Sequence, residues 1–267
     1  MHSIADLPNN YHCHRNFYKA IWGDLTCSQC GSKKLKFRDN YEYCPDCKHK
    51  SSVKAETIFR GSNLTYKRIY LLIWCWQQKI GIGEIVKLTG ISYPTIERWL
   101  ERLRAALAPS DVVLGDIVEI DGSFFGRLKY GKQKLVAEAI NPGNKQIVLE
   151  VVTARDSEAV EAFVNAHIKP GSLIRTDALA SYNSWSLDGY DHERCDHAAG
   201  FYGITNHIEN LWSVMKRALR HIYRDLTFPL RQLNLILREW ENRYNHPELF
   251  YNVDSYLKLR GCSKFVY

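Results

Sequence analysis

Three features of the 267-residue sequence predict an α/β fold in four parts. Two Cys-x2-Cys pairs lie near the start, at Cys27/Cys30 and Cys44/Cys47. A glycine-punctuated stretch of helical periodicity follows. Beyond Pro109-Ser110, β-favouring runs alternate with helical ones. Hydrophobic residues make up 45% of the chain and charged residues 24%, which is ordinary globular usage and excludes a disordered chain, a collagen or a low-complexity scaffold. The longest apolar run, Ile69 to Trp76, has eight residues, well short of the ~20 that cross a bilayer. The opening MHSIADLPNN lacks the basic-then-apolar pattern of a signal peptide. The expectation is a soluble, cytoplasmic protein with no membrane partner.

Charge is unevenly distributed. Residues 1–110 carry 17 Lys/Arg against 9 Asp/Glu, residues 111–204 carry 9 against 14, and residues 205–267 carry 10 against 6. A basic head, an acidic middle and a basic tail suit ends that meet a polyanion and a middle that holds cations. A soluble surface with varying charge gives the same sums.

The head is read first. Cys27, Cys30, Cys44 and Cys47 form two CxxC knuckles separated by 13 residues, a pattern suited to four thiolates around one zinc ion. Gly31 supplies a turn after the first pair, and Phe37, Tyr41 and Tyr43 favour a hairpin between the pairs. Residues 1–60 therefore read as a zinc ribbon whose metal is structural, because four thiolates leave no open position. His12, Cys13 and His14 are a second, weaker donor set.

Residues 61–110 read as helices. Leu64 to Gln78 is rich in Ile, Tyr and Trp and reads as a buried helix. GEIVKLTG closes at Gly90, a C-cap glycine, and the next helix opens with Ser92 and Pro94. Ile96, Leu100, Leu103 and Leu107 form its apolar stripe, while Arg98 and Arg102 share another face. Two short helices around a glycine turn suit a helix-turn-helix with its second helix in a DNA groove. An αα-hairpin with solvated arginines fits the same residues.

Residues 111–225 change period. Ile117–Asp121 reads as a β-run ending in an acid, followed by β-runs Lys134–Ile140 and Gln146–Thr153 around an Asn-Pro-Gly-Asn turn. Ser157–Ile168 reads as a helix with Val160, Phe163, Val164 and His167 or Ile168 inward. Leu173–Asp177 is another β-run ending in an acid, and Asn206–Tyr223 is a long helix. Three meandering strands followed by a crossover strand is the connectivity of an RNase H-like core. Residues 226–267 read as a C-terminal helical extension.

The core carries the chemistry. Asp121 and Asp177 are expected at strand ends, where open α/β sheets place ligands. On the long helix Glu209, Ser213, Lys216 and Arg220 form one stripe, opposite Ile208, Leu211, Met215, Ala218 and Ile222. Three carboxylates around two Mg²⁺ ions suit phosphodiester chemistry, with Lys216 and Arg220 beside DNA phosphates. Strand-end aspartates also serve turns, and a first-turn glutamate also answers the helix dipole. DHERCDH, from Asp191 to His197, reads as a second metal site or as a polar loop or edge strand.

VEIDGSFFGRLKYGK, IRTDALASYN and TNHIENLWSVMKRALR resemble the three blocks of bacterial insertion-sequence DDE transposases related to the eukaryotic Merlin elements. The closing REWENRYNHP and the zinc-ribbon and helix-turn-helix head resemble the same family, so the resemblance spans about Thr26 to Tyr256. It implies a DNA transposase with an RNase H-like core that binds terminal inverted repeats, cuts there and joins the ends to target DNA. It implies Asp121, Asp177 and Glu209 as catalytic carboxylates holding two Mg²⁺ or Mn²⁺ ions. Lys216 matches the family's lysine, and His197 a histidine before the third block. Asn206 also matches the third block, and some members carry Asn as the third residue. Where the family has an acid after the first Asp, this chain has Gly122, with Glu119 on the same strand face as Asp121. Processing two ends together implies a homo-oligomer on double-stranded DNA. The alternative is a transposase-derived DNA-binding regulator without catalysis; a third reading is a stand-alone nuclease.

Overall fold

A computed structural model describes residues 4–127, 133–152, 157–177, 189–195 and 205–260. They fall into two compact units, Met1–Ala106 with Pro247–Tyr267, and Leu107–His246. Among the described residues, no helix is long and apolar enough to cross a membrane.

The first unit begins with a helix that the sequence reading did not anticipate, α1 (Asn10–Trp22). The Asn9 side chain caps it by accepting from the His12 N–H, and Gly23 ends it at φ 86°. Three two-residue strands follow, β1 (Lys36–Phe37), β2 (Glu42–Tyr43) and β3 (Lys50–Ser51), paired antiparallel in chain order. So small a sheet has little apolar surface of its own. It is tied to α1 by a buried pair, His14 Nε2 to Glu42 Oε1 at 2.5 Å. Glu42 also accepts from the Val53 N–H and from Ser51 Oγ. Tyr66 stacks on the His14 ring at 3.8 Å between centroids.

Helix α2 (Tyr66–Gln77) is buried along almost its whole length, as its composition requires. The Gln77 side-chain amide donates to the carbonyls of Leu249 and Asn252, and Tyr70 donates to Asp254. These contacts bring residues 247–260 into the first unit. Helix α3 (Ile82–Thr89) ends at Gly90 in the left-handed conformation, and α4 (Tyr93–Ala105) begins with Pro94 in its first turn.

The second unit is a five-stranded sheet between helices. Strand β4 (Ile117–Phe125) pairs antiparallel with β5 (Lys134–Ile140), and β5 with β6 (Ile147–Val152). On its other side β4 pairs parallel with β7 (Leu173–Asp177), which pairs parallel with β8 (Asp191–Cys195). The order β6-β5-β4-β7-β8 is the meander-then-crossover connectivity read from the sequence. Helix α5 (Ser157–His167) covers one face, where Val118, Ile120, Ala137, Ala139, Val148 and Ile174 meet Phe163, Val164 and Ile168. Ile168 is thus the inward residue and His167 the outer one, hydrogen-bonded to Glu150 at 2.8 Å. Helices α6 (Asn206–Tyr223) and α7 (Leu230–Asn245) cover the other face, packing on Phe125, Val136, Ile140, Ile147 and Leu149.

The stretch 226–267, read as one extension, is therefore divided. Leu233, Ile236, Leu237 and Trp240 give α7 a stripe at helical spacing that completes the second unit's core. The same helix closes the edge strand. Glu241 accepts from the Leu149 N–H at 2.9 Å, and Asn245 accepts from the Ile147 N–H and donates to the Ile147 carbonyl. Such groups, left open, would offer a template for strand addition.

Burial pushes the Glu241 carboxyl up to about 7, against the pull of the Leu149 N–H. The folded chain keeps this proton to about pH 7, whereas the unfolded chain releases it near 4.5. Stability should therefore fall as pH rises between those values and stay lower above 7. Glu241→Gln keeps the acceptor and removes the charge. Denaturant melts should show it more stable than wild type at pH 8, by roughly 3–4 kcal/mol at about 1.4 kcal/mol per pH unit, with little difference at pH 4.

Candidate active site and cysteine cluster

The acidic site is built along β4. Odd-numbered residues of β4 face α6 and even-numbered ones face α5, as the two core clusters require. Glu119, Asp121 and Ser123 thus lie on the α6 side. The parallel register joins Ile117 to Leu173, Val118 to Ile174 and Glu119 to Arg175, a constant offset of 56 residues. Asp121 and Asp177 are separated by the same offset and lie two residues beyond the last paired residues of the two strands, Glu119 and Arg175. Both are half-buried. Asp177 is the last residue of β7, as expected. Asp121 lies in the middle of β4 rather than at its end, because β4 continues to Phe125 in its ladder with β5. The Gly122 N–H donates to Asp121 Oδ1 at 2.6 Å.

Glu119 fixes the helix to this strand. It is 1% exposed, and its Oε2 accepts from the backbone N–H groups of His207 and Ile208 at 3.0 Å each. Its Oε1 meets His207 Nδ1 at 2.7 Å. A carboxylate here satisfies amides at the start of α6 and faces the positive end of the helix dipole. Glu119 is therefore not a substitute acid for the position that Gly122 occupies; its lone pairs are engaged by the helix.

Eight residues along α6, Lys216 Nζ donates to Ser123 Oγ. Two anchors now relate helix and strand. From Ile208 to Lys216 α6 rises about 12 Å, and from Glu119 to Ser123 β4 rises about 13 Å. The matching rises imply that α6 runs alongside β4, with Asp121 midway between the anchors. Glu209 follows directly after the anchored amides, exposed, and accepts from Thr205 Oγ1 at 3.1 Å. Asn206, the first residue of the helix, is also exposed.

Lys216 departs from the outward stripe read from the sequence. It is half-buried, with Nζ 5.4 Å from the Phe125 ring centroid and 5.6 Å from that of Trp212. Burial lowers its pKa, Arg220 adds to the lowering, and Asp121 and Glu138 oppose it. Glu138, opposite Asp121 on β5, escaped the sequence reading. Burial, with Asp121 beside it, pushes its carboxyl well above the ordinary value. Its only sequence signal is one acid in an otherwise apolar β-run. Arg220 is exposed on the same helix.

Within DHERCDH, residues 191–195 form edge strand β8, and their side chains engage β7. Glu193 accepts from Arg175 Nε at 2.7 Å, and His192 Nε2 lies 2.9 Å from Thr176 Oγ1. Asp196 and His197 lie outside the described residues.

In the first unit the four cysteines converge. Among the described residues they alone form a set of three or more Cys, His, Asp or Glu donors with ligand atoms all within 4.8 Å. Asp121, Asp177 and Glu209 are not gathered to that distance. The Cys27–Cys47 and Cys30–Cys44 sulfur pairs are each 3.7 Å apart. A tetrahedron with Zn–S bonds of ~2.3 Å has an edge of about 3.8 Å, so the sulfurs fit zinc. Each knuckle ends in a left-handed residue, Gly31 at φ 72° and Lys48 at φ 61°. The backbone N–H groups of Cys47 and Asp46 draw the Cys44 thiol down to about 7. His12, Cys13 and His14 do not converge: His12 meets Asn9, Cys13 the Pro8 carbonyl, and His14 the Arg38 carbonyl and Glu42. Arg98 and Arg102 are exposed on α4, the latter 4.9 Å from the Trp99 ring.

Residues 113–245 match the family model of the ISXO2-like transposase domain. A relative from Haemophilus influenzae (strain ATCC 51907 / DSM 11121 / KW20 / Rd), described as an uncharacterized transposase-like protein, is 27% identical over 99 residues. These residues make up 37% of this chain and 80% of the relative. Among solved structures, the simian T-cell lymphotropic virus intasome in complex with PP2A regulatory subunit B56 gamma has a chain similar at TM-score 0.37 and 11% identity, over 66% of this chain and 68% of that one. The HTLV-2 integrase catalytic core domain in complex with magnesium, in its trimeric form, is similar at TM-score 0.35 and 12% identity, over 56% and 99%.

Glu119→Ala removes the acceptor for two α6 amides. Hydrogen exchange at His207 and Ile208 should accelerate while exchange in α5 is unchanged. Global stability should fall by about 2–3 kcal/mol, typical of hydrogen bonds to a buried charge. Unchanged exchange at both amides would show that α6 is held by its apolar face alone.

Proposed function

Residues 113–245 belong to the ISXO2-like transposase domain family, and on that premise we propose that the chain is a DNA transposase of the DDE kind. It binds terminal inverted repeats, cuts at the element ends and transfers the strands to target DNA. The observation that carries the reading is the common β4–β7 offset of Asp121 and Asp177, beside the helix turn that bears Glu209. In this reading the three carboxylates are the catalytic set and hold two Mg²⁺ or Mn²⁺ ions. The donors suit them, because these hard cations take oxygen ligands. When bound, the ions supply Lewis acidity at the attacking and leaving oxygens of an in-line displacement.

The chain's own residues do the positioning. The Gly122 N–H orients the Asp121 carboxylate. Lys216, steadied by Ser123, presents its ammonium group to a DNA phosphate next to the carboxylates. Arg220 extends the cationic track along α6. At the head, the two knuckles hold one structural zinc, and α3–turn–α4 acts as a helix-turn-helix with Arg98 and Arg102 against double-stranded DNA. Pairing two element ends calls for a homo-oligomer. The kinship with Merlin elements and a bacterial, nucleoid-associated location belong to the same proposal.

The test is cleavage of a labelled element end in Mg²⁺ or Mn²⁺. Asp121→Asn, Asp177→Asn and Glu209→Gln should each reduce cleavage at least about 10³-fold, several kcal/mol of transition-state stabilisation, with repeat binding retained. Lys216→Ala should be milder, about 10- to 100-fold for the loss of one phosphate contact. If Glu209→Gln cleaves normally while Asn206→Ala is dead, the third residue is Asn206. A wild-type chain that binds ends and never cleaves would be the DNA-binding regulator.

The head has its own test. Purified protein should carry about one zinc per chain, and Cys44→Ser should lose it together with the fold of residues 27–51, since binding and folding are coupled in such modules. Full zinc content in that variant would contradict the ligand set.

A further inference from the structure

Glu138 is a buried acid of the second unit that the packing described above does not account for. Its register partner across the β4–β5 ladder is Asp121, so the two side chains leave the same face of the sheet with Cβ atoms ~4.5–5.5 Å apart. Val136 and Ile140, two residues to either side on β5, pack in the apolar cluster under α6 and α7. Glu138 sits between them, fully buried, and among the described residues neither carboxyl oxygen has a hydrogen-bond partner. The ionisable groups around it are Asp121 on β4, Lys216 on α6 and Tyr244 on α7. The Lys216 ammonium group donates to Ser123.

Buried polar side chains are overwhelmingly hydrogen-bonded, and an unpartnered one calls for a reason. Packing gives none, because Val136 and Ile140 show what this surface otherwise carries. A divalent cation held by Asp121 lies within reach of the Glu138 side chain across the ladder and would engage its oxygens.

We infer that Glu138 is a fourth carboxylate of the cation site, closing it from the buried side of the seam between α6 and the sheet. The inference rests on the cation-binding reading proposed for Asp121, Asp177 and Glu209, and it assigns Glu138 to holding the ion.

Calorimetric titration of the zinc-saturated full chain with Mn²⁺ tests it. Glu138→Gln, with an unchanged far-UV spectrum, should bind Mn²⁺ about 10- to 100-fold more weakly than wild type. The double variant Asp121→Asn/Glu138→Gln should be little weaker than Asp121→Asn, because two groups serving one ion are not additive. If Glu138→Gln binds Mn²⁺ as wild type does while Asp121→Asn does not, Glu138 is a buried structural acid and the inference fails alone. If the wild-type chain takes up no Mn²⁺, the inference and the cation reading fall together. Should Glu138→Gln not fold, wild-type protein labelled at its glutamate carboxyl carbons answers the same question by NMR. Mg²⁺ must shift the Glu138 resonance, and an unmoved resonance overturns the inference.

Discussion

A single buried carboxylate holds the second unit's site together. Glu119 reaches from the middle of the sheet to the first amides of α6. A sheet and a helix packed only through apolar side chains could slide by a residue at modest cost, since apolar contacts are non-directional. Hydrogen bonds from two successive amides to one carboxylate oxygen remove that freedom. They set where α6 begins along β4, and hence where Glu209 and, about two turns later, Lys216 come to lie relative to Asp121. The Lys216–Ser123 contact then sets the helix's rotation as well as its translation. The sequence places the anchor and the acid two residues apart on one strand face, so any shift of β4 moves both together.

The first unit solves a different problem. Three strands of two residues each cannot bury enough surface to stand alone. Two devices compensate. One is the sulfur cluster, with pair separations that suit a tetrahedral ion. The other is the buried His14–Glu42 pair, which joins the ribbon to α1 while Glu42 satisfies the Val53 N–H and the Ser51 hydroxyl. A buried polar pair with only two partners would be a poor exchange for hydration. Extra donors on Glu42 and the Tyr66 ring against His14 supply what the pair lacks.

Much of this was legible in the sequence because local chemistry and tertiary packing agree. The CxxC knuckles, Gly90, Pro94 and the Asn-Pro-Gly-Asn turn mark their positions unambiguously, and the near-continuous apolar runs of β5 and β6 suit strands buried on both faces. Helix α1 was not legible: Tyr11, His12, His14 and Arg15 blur its period, and only Asn9 and Gly23 mark its ends. The run past Asp121 was misjudged because Gly122 and Ser123 read as a strand end, whereas the ladder with β5 carries the strand to Phe125. The tail was read as one extension because sequence does not reveal which unit a helix joins. That is decided by long-range partners such as Gln77 with Leu249, and Leu149 with Glu241. Asp121, Asp177 and Glu209 stood out through motif and order. Glu119 was noted only for sharing a strand face with Asp121, and Glu138 not at all, since a lone acid in a β-run gives no sign of whether it caps a helix, faces a cation or meets solvent.

In the proposed transposase reading, α6, held by Glu119, carries Glu209 to the edge of a cation site founded on Asp121 and Asp177. Anomalous diffraction from crystals of the full chain soaked in Mn²⁺ tests it most directly. Anomalous density is expected within bounds set by the carboxylates of Asp121, Asp177 and Glu209, with the Glu119 contacts to α6 intact. Manganese bound elsewhere, or held by the two aspartates with Glu209 turned away, would contradict it.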